Sequence, residues 1–217
     1  MVPQEQENSL VRFNSIAFNS THDSPYKIKC DGLFSTQFIS VSTNTESEFI
    51  KKKLGLKELP GEGGFYRETY RSEFFTTHSS TRRNKIEGSR GNTRSTISLI
   101  YYLLDGMGNF SAFHRLKSDE IWHFYRGSPV TIYVIDNMGH LTKIRLGNDI
   151  SRGHKCHAII RAGLWFGAKV DDSTSYALIG CTVSPGFDYQ DFELGSRMGL
   201  IRMFPRHKAV ILSLTNE

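Results

Sequence analysis

The feature that most constrains the fold of this chain is a succession of short β-prone runs between residues 96 and 184. The runs are rich in β-branched and aromatic residues, and turn signals containing Gly, Asn, Asp or Ser separate them. They predict strands over residues 96–104, 110–116, 120–126, 129–136, 140–146, 156–161, 164–170 and 175–184. Because no helical pattern intervenes, the runs predict an antiparallel sandwich or barrel, and specifically a jelly roll, rather than alternating βαβ units.

Other signals flank this region. Thr45 and Glu48 have the spacing of a capping box before a short amphipathic helix that ends at Gly55. A Gly-rich turn at residues 60–64 then precedes the sequence FYRETYR, whose alternation predicts a half-buried strand. Near the C-terminus, Pro205 at a first-turn position predicts one closing helix. The predicted fold class is all-β, with a short N-terminal helix and a C-terminal helix.

The length and composition suit one domain. The chain has 217 residues, and 38% of them are hydrophobic, which is enough to bury a core. Residues 1–44 are rich in Ser, Thr, Asn and Gln and are interpreted as an extended or partly disordered arm, with a short strand over residues 34–41 as an alternative. Residues 45–217 form the predicted domain, which carries a basic loop insertion at residues 78–95.

The net charge of +5 is concentrated in that loop. The loop contains a single acidic residue, Glu87, and five basic residues: Arg82, Arg83, Lys85, Arg90 and Arg94. A basic run without interleaved aromatic residues is a weak signal for nucleic acid. A solvated insertion is therefore favoured over an anion or RNA contact.

The sequence contains no run of the roughly 18 apolar residues that a membrane span needs. The first thirty residues also lack the basic and apolar regions of a signal peptide. A cytoplasmic protein without membrane contact is the prediction. The three cysteines, Cys30, Cys156 and Cys181, have no CxxC spacing, so free thiols are expected.

Candidate chemistry is concentrated in residues 108–127. His114 follows Gly108 after five residues, and Gly127 follows Glu120 after six residues. This spacing is that of a cupin metal motif, in which a second His stands two residues after the first. Residues two positions apart on a strand share one face, so both His side chains of such a motif would point to the interior. Leu116 stands at the second position here.

Five segments in order resemble the cupin family of domain-of-unknown-function 985 (Cupin_5), over about residues 54–214. The segments are PGEGGFYRETYRSE, TISLIYYLL, FSAFHRLKSDEIWHFYRG, LWFGAKV and TVSPGFDYQDFEL. The resemblance implies a double-stranded β-helix, commonly a homodimer, with the topology of the RmlC-like sugar-nucleotide epimerases. It implies no established substrate. The N-terminal arm and the basic loop fall outside the family pattern.

The resemblance also sets an expectation for metal. Cupins of this kind take two His and one Glu from the first motif and one His from the second, and Leu116 and Phe166 replace two of these four ligands. Stable transition-metal sites usually supply three or four protein ligands. No cofactor is therefore expected, with a weakly bound divalent metal on His114 and Glu120 as the alternative. His123 lies three residues after Glu120 and is predicted to point the other way.

His114 and Glu120 are the candidate catalytic residues. An inward imidazole with a carboxyl group that holds its tautomer suits proton transfer near neutral pH. The resembling epimerases place their catalytic His on the corresponding strand, which favours a metal-independent epimerase or isomerase. The alternatives are a metal-dependent enzyme that recruits His123 or Glu62, a non-catalytic ligand-binding or scaffold protein, and a purely structural His114.

A small organic ligand, carbohydrate-like or carbonyl-containing, is predicted for the barrel interior, since its inward residues are mainly apolar with a few polar groups. Trp165 and Phe166 are predicted to form a stacking wall, with core packing as the alternative. The loop that contains Asp188 and Asp191 is predicted to cover a barrel mouth, each acid either capping the turn or binding ligand. The candidate ligand-binding residues are Glu62, Glu68, Arg115, Trp122, Trp165, Phe166, Asp188 and Asp191.

Overall fold

The structure is a computed structural model, and it describes residues 43–77, 93–106 and 108–217. Side chains are described from residue 45 onward. All but the last two positions of the predicted arm lie outside the described residues. Cys30 and the alternative strand over 34–41 therefore lie outside them as well. The predicted basic loop lies outside them except for its last three residues.

Thirteen strands and three α-helices are present in these described ranges. The strands are β1 (Lys57–Glu58), β2 (Phe65–Arg71), β3 (Phe75–Thr77), β4 (Thr93–Ser95), β5 (Ser98–Asp105), β6 (Ser111–Leu116), β7 (Asp119–Gly127), β8 (Val130–Ile135), β9 (Leu141–Leu146), β10 (His157–Ile160), β11 (Trp165–Val170), β12 (Tyr176–Ser184) and β13 (Phe192–Leu194). The helices are α1 (Thr43–Leu54), α2 (Arg197–Met203) and α3 (Lys208–Ser213). Short 3₁₀ turns occupy Ile150–Arg152, Tyr189–Asp191 and Pro205–His207.

Two antiparallel sheets face each other. The larger sheet has the strand order β1-β2-β5-β12-β7-β10, and the smaller has the order β13-β6-β11-β8-β9. Strands β3 and β4 form a separate two-stranded sheet. Because consecutive strands alternate between the two main sheets, as β5, β6 and β7 do, the arrangement is the predicted jelly roll.

The eight predicted strands between residues 96 and 184 are confirmed, and each observed end lies within two residues of its prediction. The strand predicted from FYRETYR is confirmed as β2. Strands β1, β3, β4 and β13 were not predicted, because runs of two or three residues carry no readable alternation. Arg94 lies in β4 and is 7% exposed, so its assignment to a solvated loop was wrong.

The helices differ from prediction at their ends. Helix α1 begins at Thr43 rather than at the predicted cap Thr45, and it ends before Gly55, whose φ is +62°. The predicted C-terminal helix is confirmed as the 3₁₀ turn Pro205–His207 followed by α3, and a second helix, α2, which was not predicted, precedes it. Helix α2 begins after Ser196, whose hydroxyl accepts a hydrogen bond from the Gly199 amide, a cap that sequence reasoning missed. The helical run is interrupted at Pro205, which has no N–H to donate.

Three apolar clusters stabilise the fold. The largest fills the space between the two main sheets. The second lies between the outer face of the smaller sheet and helices α2 and α3, and it contains Phe113, Trp165, Leu200 and Ile211. The third packs α1 against the outer face of the larger sheet. No helix in the described ranges is both long enough and apolar enough to cross a membrane.

Candidate functional site

A pocket opens between the two sheets at the end where β13 adds to β6. Its cavity volume is about 70 Å³. Its lining is mainly apolar, with a few polar groups among the described residues: Leu59, Tyr66, Glu68, Ser98, Ile100, His114, Leu116, Glu120, Cys181, Val183, Phe187, Tyr189 and Phe192. A concave, mostly apolar lining with a few polar groups is typical of sites for small organic ligands.

His114 lies on β6 and is only 2% exposed. Its Nδ1 atom is 2.8 Å from the Ala112 carbonyl oxygen. A carbonyl oxygen can only accept, so Nδ1 donates in this bond. The ring is held between Phe166, with centroids 4.0 Å apart, and Phe192, with centroids 5.4 Å apart. The orientation of the imidazole is therefore fixed, and Nε2 is left for interactions at the pocket.

Glu120 lies on β7, in the opposite sheet, and is 7% exposed. Its Oε2 atom has no hydrogen-bond partner among the described residues. Burial away from water, and secondarily the nearby charge of Glu62, raise the pKa of Glu120 to about 8. Its carboxyl group is therefore mostly protonated at neutral pH.

The predicted role of Glu120 as the group that holds the His114 tautomer is wrong. That partner is the Ala112 carbonyl, a main-chain group that side-chain reasoning does not consider. Both side chains nevertheless line the same pocket, as predicted from strand alternation. Because β6 and β7 belong to different sheets, the two groups approach the pocket from opposite walls.

The carboxylate nearest to the imidazole is Glu62, whose Oε1 lies 4.0 Å from His114 Nε2. The Ser111 hydroxyl donates to the same oxygen over 2.9 Å. The Gly-rich turn makes this approach feasible: Gly63 has a φ of +98°, and a Cβ there would lie 2.4 Å from the Phe110 carbonyl oxygen. Glycine is therefore required where the turn packs against the start of β6.

Glu68 lines the pocket, and Arg71 neutralises it. Arg71 Nε donates to Glu68 Oε1 over 2.9 Å, and a second ion-pair contact spans 2.5 Å. The same guanidinium donates to the Phe187 carbonyl oxygen over 3.0 Å. Both predicted readings of Glu68 thus hold in part, since it forms an ion pair with a neighbouring arginine and also borders the cavity.

One side of the pocket is an aromatic wall formed by Phe187, Tyr189 and Phe192, which the sequence analysis did not identify. The three rings meet nearly edge to face, with centroid separations of 5.1, 6.1 and 6.5 Å. Partial burial, a hydrogen bond with Tyr66 and the charge of Glu62 raise the pKa of Tyr189. The available signal was the aromatic spacing in GFDYQDF, directly after a turn already predicted to cover a barrel mouth.

The acids of the same loop do not line the pocket. The Asp188 side chain accepts a hydrogen bond from the Gln190 amide and so caps the 3₁₀ turn. Asp191 is buried and pairs with Arg94 over 2.6 Å, and Lys117 lies 3.3 Å away. These bonds hold the segment that carries the aromatic wall. The ion pair between the buried Arg94 and Asp191 is a contact that the sequence did not reveal.

Three other predicted ligand contacts are directed elsewhere. Arg115 binds Glu193 and lies over the Trp165 ring, 4.6 Å from its centroid, on the outer side of the smaller sheet. Trp165 packs beneath the C-terminal helices, so the prediction that it forms part of a stacking wall is wrong. Of the two residues, only Phe166 faces inward. Trp122 is buried edge-on against Phe166 with centroids 6.2 Å apart, within the central core.

Two further side chains bear on the chemistry. Burial and the neighbouring carboxyls of Glu120 and Glu62 raise the pKa of the Cys181 thiol well above its usual value, so this pocket residue is not a thiolate nucleophile. His123 contacts Thr182, with 3.3 Å between Nε2 and the hydroxyl, and pairs across the sheet with His157 rather than lining the pocket. Burial and His157 lower the pKa of His123.

The residues present do not fit the metal site that the fold implies. Leu116 lines the pocket where a second His would stand, and Phe166 lies directly opposite His114 across the β6–β11 pair. Within the described ranges, no group of three or more His, Cys, Asp or Glu side chains is placed to hold a metal ion. His114 and Glu120 would supply two ligands where three or four are usual.

Comparison with known proteins places these features in a family. The crystal structure of protein SO0799 from Shewanella oneidensis is 39% identical, with a TM-score of 0.66 over 78% of this chain and 96% of that chain. A hypothetical protein from Leishmania major is 32% identical, with a TM-score of 0.68 over 78% and 98%.

A relative from Saccharomyces cerevisiae, the uncharacterized protein YML079W, is 28% identical over 137 residues. That alignment covers 60% of this chain and spans 66% of the length of the yeast protein. The family model Cupin_5, described as Cupin superfamily (DUF985), matches residues 47–195. The chain therefore belongs to the Cupin_5 family of the cupin superfamily.

Proposed function

We propose that the pocket binds a small organic molecule with an acidic C–H beside a carbonyl, and that His114 and Glu120 move protons on it without a metal. The reaction class is epimerisation or isomerisation. The observation that supports this most is the placement of a neutral carboxylic acid and an oriented imidazole on opposite walls of one pocket. Such a pair can remove a proton from one face of a carbon and deliver one from the other.

His114 acts as the base. Because Nδ1 carries the proton donated to the Ala112 carbonyl, the neutral ring has its lone pair on Nε2. Glu62, 4.0 Å from Nε2 and oriented by Ser111, stabilises the imidazolium that forms when His114 takes a proton. The packing of Phe166 and Phe192 against the ring keeps this geometry without a second protein hydrogen bond.

Glu120 acts as the acid. With a pKa of about 8, its carboxyl group retains a proton at neutral pH and donates it, either to the carbonyl oxygen of the ligand or to the opposite face of the carbon. Its free Oε2 atom provides the hydrogen-bonding capacity that a ligand would use. Burial in the mainly apolar lining keeps the Glu120 carboxyl group protonated.

Deuterium exchange tests the proposal. The protein is incubated in D₂O with a panel of ketoses, aldoses and 2-oxo sugars, and mass spectrometry measures deuterium incorporated at carbon. We expect incorporation for at least one compound, lost at least about a hundredfold in His114→Gln and Glu120→Gln. His123→Gln and Glu193→Gln are matched controls, because these His and Glu side chains lie outside the pocket.

Three results would overturn the proposal. Incorporation that persists in His114→Gln would show that another base is used. Incorporation that a chelator abolishes and one added metal restores would favour a metal-dependent enzyme, the competing function of this fold. Exchange absent from the whole panel, with a ligand still bound in a His114-dependent way, would favour a ligand-binding protein.

Homodimerisation remains a prediction from the family. The outer face of the larger sheet supports it, because Tyr125 and Ile159 are each 47% exposed there, beside the His123–His157 pair. Buried apolar and aromatic surface is typical of homodimer contacts. Light scattering measures the mass in solution. A dimer that Ile159→Lys converts to a monomer would place the interface on this face, whereas a wild-type monomer would contradict the prediction.

A further inference from the structure

We propose that the aromatic wall of the pocket binds an organic cation, so that the ligand on which His114 and Glu120 act carries an ammonium group. This inference rests on the proposed function, because it names the class of ligand for the same pocket. It excludes the phosphorylated and nucleotide-linked sugars that a simple epimerase reading would suggest. Three features of the site support it: the arrangement of the rings, the sign of the charges and a buried oxygen without a partner.

The rings form a concave corner. Phe187, Tyr189 and Phe192 all line the pocket, and their interplanar angles are 80°, 63° and 77°. Edge-to-face packing with centroids 5–7 Å apart is a favourable arrangement of aromatic rings, so the three rings are held together as one wall. Tyr66, which shares a hydrogen bond with Tyr189, adds a fourth aromatic side chain to the lining. A cation placed over the open face of any of these rings would be attracted by the negative charge of that face.

The charges have the sign that a cation requires. Besides the neutral carboxyl group of Glu120, the carboxylates of Glu62 and Glu68 border or line the pocket, whereas its described lining contains no Lys or Arg. Glu68 is neutralised by Arg71. Glu62 has an 11% exposed side chain, and within the described ranges no Lys or Arg lies within 4.0 Å of it. Among the described residues, an anionic ligand would find no counter-charge other than His114 and Arg71, which is already paired with Glu68.

A second, independent observation points to a hydrogen-bond donor on the ligand. Glu120 Oε2 is buried at the pocket wall and has no hydrogen-bond partner within 3.5 Å among the described residues, although the Cys181 and Trp122 side chains lie close enough to offset part of the rise that burial causes in the Glu120 pKa. A buried polar oxygen without a partner costs stability. The neutral carboxyl group of Glu120 has one oxygen that accepts and one O–H that donates, so a ligand N–H would pair with the accepting oxygen. A primary or secondary ammonium has such donors in addition to its charge. An amino sugar or an amino ketone would combine this group with the carbonyl chemistry of His114.

Binding of three molecules that share a trimethyl-substituted end tests the charge preference on the wild-type protein. Choline has a trimethylammonium group, 3,3-dimethylbutan-1-ol has the same shape without charge, and 3,3-dimethylbutanoate carries a negative charge. We expect titration calorimetry or ligand-observed NMR to show choline binding about tenfold or more tightly than the alcohol, since several rings and a carboxylate act together. The carboxylate should bind more weakly than either.

Substitutions locate the effect. Tyr189→Leu, Phe192→Leu and Glu62→Gln should each weaken choline binding about three- to tenfold and change binding of the alcohol less than twofold. Phe74→Leu is the matched control, because Phe74 is 78% exposed and does not line the pocket. A variant that fails to fold leaves the three-ligand comparison on the wild type intact.

The failures are distinguishable. Equal affinity for choline and the alcohol, or no binding of choline at all, overturns the inference, as does choline binding that survives all three substitutions. If neutral sugars then show His114-dependent deuterium exchange, the proposed function stands and only the ligand class was wrong. If choline binds as expected but no amine-bearing carbonyl compound exchanges deuterium, the cation site stands and the proton-transfer chemistry fails.

Discussion

Strands β6 and β11 present two contrasting faces. On the outer face, Phe113 and Trp165 are closed over by α2 and α3, in an apolar cluster with Leu200 and Ile211. On the inner face, the neighbouring residues His114 and Phe166 face the space between the sheets. One residue along the strand thus separates a sealed apolar layer from a pocket that contains buried polar groups.

The difference shows what each face contributes. The outer face satisfies the usual rule that buried residues are apolar and tightly packed, and it stabilises the fold. The inner face breaks that rule: an imidazole and a carboxyl group are buried beside open space, and one carboxyl oxygen has no described partner. Buried polar groups of this kind cost stability, and they cluster at functional sites. If the two faces separate stability from function in this way, substitutions on the outer face should mainly lower stability and substitutions on the inner face should mainly lower activity.

The largest expected effect is on the sealed face. Phe113 is fully buried, so Phe113→Ala removes its packing and leaves a cavity between the sheet and the helices. We expect the free energy of unfolding, measured by urea denaturation, to fall by about 3–5 kcal/mol. Phe74→Ala, at a 78% exposed position, is the control and should change it by less than about 0.5 kcal/mol. Similar small losses in both variants would mean that the helices do not seal this face.

A smaller loss is expected where the pocket wall is anchored. Arg94→Met removes the buried partner of Asp191, and Lys117 compensates only in part, since its side chain is 59% exposed. We expect unfolding free energy to fall by about 2–3 kcal/mol, because a buried carboxylate loses its main cation. Arg145→Met breaks the more exposed pair with Asp171 and should cost about 1 kcal/mol or less. Equal effects would show that Asp191 is not a buried anchor.

The pH dependence of stability tests the inner face directly. The pKa of Glu120 is raised by burial to about 8 in the folded chain from 4.5, so as pH rises the unfolded chain releases this proton first. Ionisation then favours the unfolded state, and stability falls between these two values. From about pH 6 to about pH 7.5 the wild type should lose about 2 kcal/mol relative to Glu120→Gln.

Denaturation of both proteins across this pH range provides the measurement. Glu193→Gln, at an exposed position, should retain the wild-type slope. Parallel curves for the wild type and Glu120→Gln would contradict the placement of a neutral carboxyl group in the pocket.

The smallest effect on stability is expected at His114 itself. His114→Gln removes the bond to the Ala112 carbonyl, and a typical hydrogen bond contributes about 1 kcal/mol. We therefore expect a change in unfolding free energy of about 1 kcal/mol, far below that of Phe113→Ala one residue away, with complete loss of deuterium exchange. A loss of stability as large as that of Phe113→Ala would assign His114 a structural role instead.

Local patterns account for what could be predicted. The strands around His114 and Glu120 follow from two-residue alternation and turn residues, which act over a few positions and place both side chains at the pocket. Strand β13 has only three residues, and pairing with β6 rather than its own sequence defines it. Pairing of Arg94 with Asp191 joins residues 97 positions apart, so no local pattern shows it. Trp165 could have been excluded, since two adjacent strand residues cannot both face inward.

The protonation of Glu120 can be measured most directly by infrared difference spectroscopy of the wild type against Glu120→Gln. We expect a carboxylic acid carbonyl band at neutral pH that is absent from the variant and disappears as the pH rises through about 8. Loss of that band near the ordinary carboxyl pKa of 4.5 would show an ionised Glu120 and would contradict a neutral acid opposite His114.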